Sequence, residues 1–146
     1  MKVECQWKEK LYFEGKSGAF TVPMDTKSPL GTDRAASPKQ LLLMSICGCS
    51  AIDVMMLMKK YREEVTSFNI KADAPTTEGQ PSIFSHVELV YELEGTQNAE
   101  KVMEAVTLSM TKYCGVSAMV NPTSPIRYSV VLNGKKIGEG NARFEI

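Results

Sequence analysis

The sequence has one histidine, one tryptophan and no excess of either charge, since seventeen Lys and Arg stand against seventeen Asp and Glu over 146 residues. Each shortage excludes something. A chain that grips a nucleic-acid backbone releases counterions through a net basic surface, and this one has no such surplus, so no nucleic-acid partner is expected. With His86 the sole histidine, a Cys–His or Ser–His–Asp hydrolase has little to work with. No phosphate-cradling glycine loop or nucleotide-binding fingerprint is present. Repeats and low-complexity tracts are missing too. With 43% hydrophobic and 23% charged residues, the composition is that of a globular protein, and a single domain over 1–146 is expected.

Long hydrophobic runs are equally scarce. Residues 41–58 form the one membrane-like stretch, and it contains Ser45, Gly48, Ser50 and Asp53. An Asp at mid-bilayer costs about 2.5–3.5 kcal/mol on insertion scales, so a buried helix of a soluble protein is the better reading and no membrane is expected. The start, Met1-Lys2-Val3-Glu4-Cys5-Gln6-Trp7, scatters charge where an apolar targeting core would lie, which favours a cytoplasmic location. There the four cysteines, Cys5, Cys47, Cys49 and Cys114, would be reactive, metal-bound or buried thiols rather than structural disulfides.

Periodicity orders the elements as strands, helix, strands, helix, strands. Val3, Cys5 and Trp7 alternate, followed by strand-like segments 11–13 and 19–22, and residues 23–36 are turn-rich. Ser37 fits a helix N-cap, Pro38 the first helical position and Gln40 the third corner of a capping box, so a helix should run from there to about Tyr61. It is apolar nearly all round, which implies enclosure inside a domain or across a subunit interface. Strands follow at 68–72 and 83–93. A second helix from about Asn98 carries the stripe Val102, Ala105, Val106, Met110 and Tyr113, and Gly115 breaks it just after Cys114. A short apolar turn at 116–120, a strand at 126–132, an Asn133-Gly134 hairpin and a last strand toward Phe144 complete the chain. Two helices cannot cover both faces of about six strands, so the expected class is α+β with a partner subunit.

The candidate chemistry lies with the cysteines. Cys47 and Cys49, two apart on a helix, point to roughly opposite faces, so if one is reactive the other packs. Gly48 strips bulk from the helix beside Cys49, and Cys114 falls at a helix end. Cys5, on the first strand, reads as a packing residue like Cys47. Cys47, Cys49, Cys114 and His86 could supply four metal ligands, but structural zinc takes paired ligands on turns rather than Cys-x-Cys inside a helix. No metal or cofactor is expected. His86 reads as a surface histidine. Asp53, one helical turn beyond Cys49, reads as a carboxylate satisfied by backbone or a partner helix; close to a thiol it opposes thiolate formation.

Three segments, Ser37-Pro38-Lys39-Gln40-Leu41-Leu42-Leu43, Gly48-Cys49-Ser50-Ala51-Ile52-Asp53-Val54 and Lys112-Tyr113-Cys114-Gly115-Val116-Ser117, together resemble the OsmC/Ohr family of osmotically inducible and organic hydroperoxide resistance proteins. Pro81-Ser82-Ile83-Phe84-Ser85-His86 and Leu108-Ser109 extend the likeness over nearly the whole chain, toward the OsmC-like branch. The resemblance implies an intertwined homodimer whose central buried helices pack against strongly curved antiparallel sheets. It implies thiol-dependent reduction of organic hydroperoxides: Cys49 would be the peroxidatic thiolate, Cys114 the resolving thiol, and an external dithiol the reductant. Family peroxidases hold an Arg near the nucleophile with a Glu; Lys39 stands at the position of that Glu, and Arg34 is the Arg available to the site. The alternative is a non-catalytic dimeric protein that senses redox state or binds an apolar small molecule in an interface pocket. The methionines Met44, Met55, Met56 and Met58 on the central helix bear on it, although Met there is more often adaptable core.

Overall fold

A computed structural model describes residues 1–145, which fall into two compact units, 1–43 and the remainder from Met44 onward. In the first unit, β1 (Glu4–Glu9), β2 (Tyr12–Ser17) and β3 (Phe20–Met24) form an antiparallel meander. Its turns pass through Lys10 and Gly18, both at positive φ (47° and 58°). The sheet has little core of its own: β1 is exposed along its whole length, and Val3, Trp7, Phe20 and Val22 all lie open. Cys5 is therefore exposed rather than packed as the alternation suggested, because the face it shares with Val3 and Trp7 has nothing over it in this unit.

Residues 25–36 form a loop, as their turn chemistry predicts, and the loop is ordered around one carboxylate. Asp25 accepts backbone N–H bonds from Thr26 (2.7 Å), Thr32 (3.2 Å) and Arg34 (3.1 Å), together with the Thr32 hydroxyl. The chain closes so tightly here that a Cβ on Gly31 would sit 2.1 Å from the Thr26 carbonyl oxygen. Only glycine fits that position.

The helix α1 (Pro38–Tyr61) begins where the capping signal places it. The Ser37 N–H donates to Gln40 Oε1 at 2.8 Å, and the Gln40 N–H returns to Ser37 Oγ at 3.4 Å. Lys59 and Lys60 occupy its last turn, favourable against the negative end of the helix dipole. By length and composition α1 could cross a membrane. Its enclosure is one-sided within the chain. Ile46, Ser50, Val54, Leu57 and Met58 are buried, whereas Met44, Ile52, Met55 and Met56 are 58, 63, 42 and 67% exposed. An all-round apolar sequence cannot distinguish a helix buried in its own domain from one that leaves a face for another surface.

In the second unit, β4 (Val65–Asp73), β5 (Val87–Gly95), β6 (Ile126–Leu132) and β7 (Lys135–Asn141) form a sheet in chain order. β4–β5 and β6–β7 are antiparallel, but β5 and β6 run parallel, from Val87↔Ile126 to Leu93↔Leu132. An all-antiparallel sheet was expected. The reason for the difference is the connection: α2 (Ala99–Leu108), a π-helical turn (Ser109–Tyr113) and α3 (Gly115–Val120) all lie between those two strands, a crossover long enough to return the chain in the same direction. Segment 116–120, read from sequence as an apolar turn, is the short helix α3. The expected strand at 83–93 starts only at Val87, with Phe84 in an isolated bridge to Thr76, and the last strand stops at Asn141 rather than near Phe144.

Alternation sets the core. Val87, Leu89, Tyr91 and Leu93 of β5 and Ile126, Tyr128, Val130 and Leu132 of β6 all point inward, beneath Val102, Ala105 and Val106 of α2 and Met110 of the π turn. Asn98 caps α2, its side chain accepting from the Glu100 and Lys101 N–H groups. Asn133 and Gly134 carry the β6–β7 hairpin at φ of 51° and 77°, the twist that a two-residue primed turn requires. α+β is the resulting class.

Candidate functional site

Cys49 and Asp53 lie four residues apart on α1 and so share one flank of the helix, both half-buried. Opposite them, the second helical segment changes pitch at Ser109. The π turn from Ser109 to Tyr113 widens the helix by one residue per turn and ends at Cys114, which leaves helical geometry (φ −70°, ψ 95°) and caps α3. Such single-turn widenings recur at functional sites. Here the turn delivers two groups to the same place, Ser109 at its start and Cys114 at its end.

The three donor groups converge. Cys49 Sγ, Cys114 Sγ and a carboxylate oxygen of Asp53 lie within 4.8 Å of one another, and among the described residues they are the group placed to hold a metal ion. Cys47 is not among them. It is half-buried, and burial pushes its thiol up. His86 is also apart, bonded to Ser85 Oγ at 3.1 Å and 3.7 Å from Glu88, a surface histidine as expected.

Behind the carboxylate runs a chain of hydroxyls. Tyr91 Oη lies 2.6 Å from Ser50 Oγ, Ser50 Oγ lies 2.9 Å from Ser109 Oγ, and the Ser109 hydroxyl donates to Asp53 Oδ2 at 3.0 Å. Each hydroxyl has one proton to give. With Ser109 giving its proton to Asp53, Ser50 must donate to Ser109 and Tyr91 to Ser50. The chain therefore has one direction and ends at Asp53. Tyr91, Ser50 and Ser109 are fully buried, and burial pushes the Tyr91 phenol well above its ordinary range. The expectation that Asp53 is satisfied by backbone or a partner helix gives way to this side-chain partner. Burial raises the Asp53 carboxyl, and the Ser109 bond opposes the rise.

Cys114 has no exposed surface. Burial pushes its thiol up to about 11; the Ser117 hydroxyl and N–H pull the other way, and neighbouring Cys49 adds to the rise. Its Sγ–H donates to Ser117 Oγ at 3.0 Å, while the Ser117 N–H donates to Sγ at 3.4 Å. None of the influences on Cys114 or Asp53 is a positive charge.

Arg34 belongs to the first unit, where its position is tightly determined. Its Nη2 pairs with Glu9 Oε1 at 2.6 Å, its Nε donates to Thr32 Oγ1 at 2.8 Å, and its guanidinium lies 4.5 Å above the Tyr12 ring. Reading the sequence singled out Arg34, Cys49 and Cys114 but gave Tyr91, Ser50, Ser109 and Ser117 no role. The available signal was polar residues set in apolar surroundings, since a buried hydroxyl needs a partner.

The family model for OsmC-like proteins matches residues 31–129. Protein YhfA of Escherichia coli K12 is 34% identical over 131 residues, spanning 88% of this chain and 96% of its own length. Among solved structures, a protein of Aquifex aeolicus VF5 superposes with a TM-score of 0.81 at 28% identity, covering 99% of this chain and 97% of that one. An organic hydroperoxide resistance protein of Legionella pneumophila, also described as a predicted redox protein, shares the fold at a TM-score of 0.69 and 14% identity, over 89% of this chain and 95% of its own.

Proposed function

The chain belongs to the OsmC-like protein family, and from that premise we propose that it reduces organic hydroperoxides with a dithiol, Cys49 attacking and Cys114 resolving. The observation that carries this reading is the meeting of the two sulfurs in one site, within 4.8 Å, from residues far apart in sequence.

The environments divide the labour. Cys114 is sealed from solvent and held protonated at neutral pH, a poor first nucleophile. Cys49 is half-exposed, so it meets the peroxide. Its thiolate attacks the terminal peroxide oxygen; the O–O bond breaks, the sulfur becomes a sulfenic acid, and the alkoxide takes a proton and leaves as alcohol. The Cys114 sulfur then attacks the sulfenic sulfur, and the expelled hydroxide carries off the thiol proton as water. An external dithiol restores both thiols by exchange.

By resemblance, Arg34 is the residue proposed to supply the positive charge that the family sets near its nucleophile. Within the first unit, Glu9 is the carboxylate that pairs with it. The working unit is a cytoplasmic homodimer. Supporting this are the open Met44–Ile52–Met56 face of α1 and the coreless β1–β3 sheet, apolar surfaces that a second copy would cover.

The test is to treat the reduced protein with one equivalent of a bulky organic hydroperoxide and map its disulfides by mass spectrometry. The expected product is a Cys49–Cys114 bond with one alcohol released. Unchanged thiol titres, with the peroxide intact, would overturn the reading. Arg34→Ala and Glu9→Gln should both slow the oxidation, with Lys39→Ala as the contrasting variant that does not.

A further inference from the structure

We propose that the reduced site also binds a thiophilic divalent cation of the zinc class, held by Cys49 Sγ, Cys114 Sγ and the Asp53 carboxylate. These three ligand atoms already lie within 4.8 Å of one another, two from α1 and one from the end of the π turn. Two thiolates and one oxygen donor form a set that suits zinc, and three protein ligands leave a fourth position for water.

The ligands have the outer support such sites use. The Ser109 hydroxyl orients Asp53 at 3.0 Å, itself anchored through Ser50 to Tyr91. The Ser117 N–H points at Cys114 Sγ from 3.4 Å, the geometry that steadies a metal-bound thiolate. Hydrogen bonds to ligands fix their orientation and tune their basicity. On binding, the two thiol protons pass to solvent and two S–metal bonds form, with no change of oxidation state. The Cys-x-Cys spacing argument against metal concerned Cys47, which the cation does not use.

Binding requires only the reduced thiols, so it stands apart from peroxide chemistry. The experiment uses the reduced, chelator-stripped full chain, titrated with zinc against a chromophoric chelator and with cobalt as a spectroscopic reporter. One ion per chain is expected, with thiolate-to-cobalt charge-transfer absorption. Zinc should protect Cys49 and Cys114 from alkylation while exposed Cys5 stays reactive. Asp53→Asn removes one of three direct ligands and should weaken zinc by at least about tenfold, the loss that even an outer partner of a ligand causes, and His86→Ala should change nothing. Cys49→Ser and Cys114→Ser, each checked for folding by circular dichroism, should each reduce the charge-transfer band. The proposal fails if cobalt shows no thiolate band, if zinc leaves both thiols open to alkylation, or if Asp53→Asn binds as well as the parent. Peroxide oxidation of the metal-free chain, measured separately, reports on the reductase reading alone.

Discussion

The Ser109 hydroxyl donates to Asp53 Oδ2 at 3.0 Å, and this one bond gives a direction to every hydroxyl behind it. Tyr91, Ser50 and Ser109 are sealed from water, so each of their protons has a single acceptor along the chain that ends at Asp53. A polar network in such a place stabilises only when every member is satisfied.

Ser109→Ala should therefore do more than remove one bond. It leaves Asp53 without its donor and Ser50 without its acceptor, and should cost about 1–3 kcal/mol in denaturant unfolding. Tyr91→Phe removes only the first donor of the chain and should cost about 1 kcal/mol. Because the two side chains act through Ser50, the double variant should lose less than the sum of the singles. Strict additivity would show that the hydroxyls act separately.

The thiols should behave unequally. Cys49→Ser should abolish peroxide consumption. Cys114→Ser should permit one oxidation and then accumulate a sulfenic acid at Cys49, trapped by dimedone and prone to over-oxidation, because its resolving partner is gone. Cys47→Ala should keep the chemistry and lose roughly 1 kcal/mol of stability for the volume of one sulfur. Dimedone on Cys47 in place of Cys49 would overturn the assignment.

What could be read in the sequence was what local chemistry decides. Ser37, Pro38 and Gln40 placed the start of α1, Asn133-Gly134 placed the hairpin, and strand patterning placed β6, because caps, primed turns and pleats depend on neighbours in the chain. The parallel pairing of β5 with β6 depends on where a crossover lands, and nothing within either strand records it. The pitch change at Ser109 is likewise tertiary. Tyr113 was assigned to the stripe of a regular helix, yet it closes the π turn and is 46% exposed. Of the site, the two cysteines were legible by resemblance and Asp53 by its helical spacing. The hydroxyls that orient Asp53 come from β5, α1 and the π turn, and only folding brings them together.

Asp25 should make the first unit acid-sensitive. The Thr32 hydroxyl, then the N–H groups of Thr26, Arg34 and Thr32, hold its carboxyl well below the ordinary 3.8, against the opposing effect of burial. A depressed folded-state value means that the ionised form is bound more strongly in the folded state than in the unfolded chain. Its contribution is complete above the unfolded value and is lost as pH falls below it toward the folded one. Asp25→Asn should thus be less stable than the parent at about pH 6, and the gap should shrink by about pH 3. A gap of constant size, measured by urea unfolding at both values, would mean that the charge on Asp25 is not what the loop uses.

The exposed flank of α1 supplies the last test. Met44, Gly48, Ile52 and Met56 follow one another at intervals of four and so form one ridge, all of it exposed. A Cβ on Gly48 would meet nothing within 4 Å, so the chain itself gives no reason for a glycine in mid-helix, where it costs about 1 kcal/mol relative to Ala. A second helix crossing at this point does give one, since a residue without a side chain lets two backbones approach closely. If the ridge is a homodimer contact, burying Ile52 contributes about 1.5–3 kcal/mol per copy, and Ile52→Glu should weaken association by at least roughly tenfold to a hundredfold. Gly48→Leu should also weaken it, although the isolated chain has room for the larger side chain and gains a better helix former. Sedimentation velocity over a concentration series distinguishes the cases. A parent that stays monomeric at every concentration, or a Gly48→Leu protein that associates as tightly as the parent, would rule out this ridge as the contact between copies.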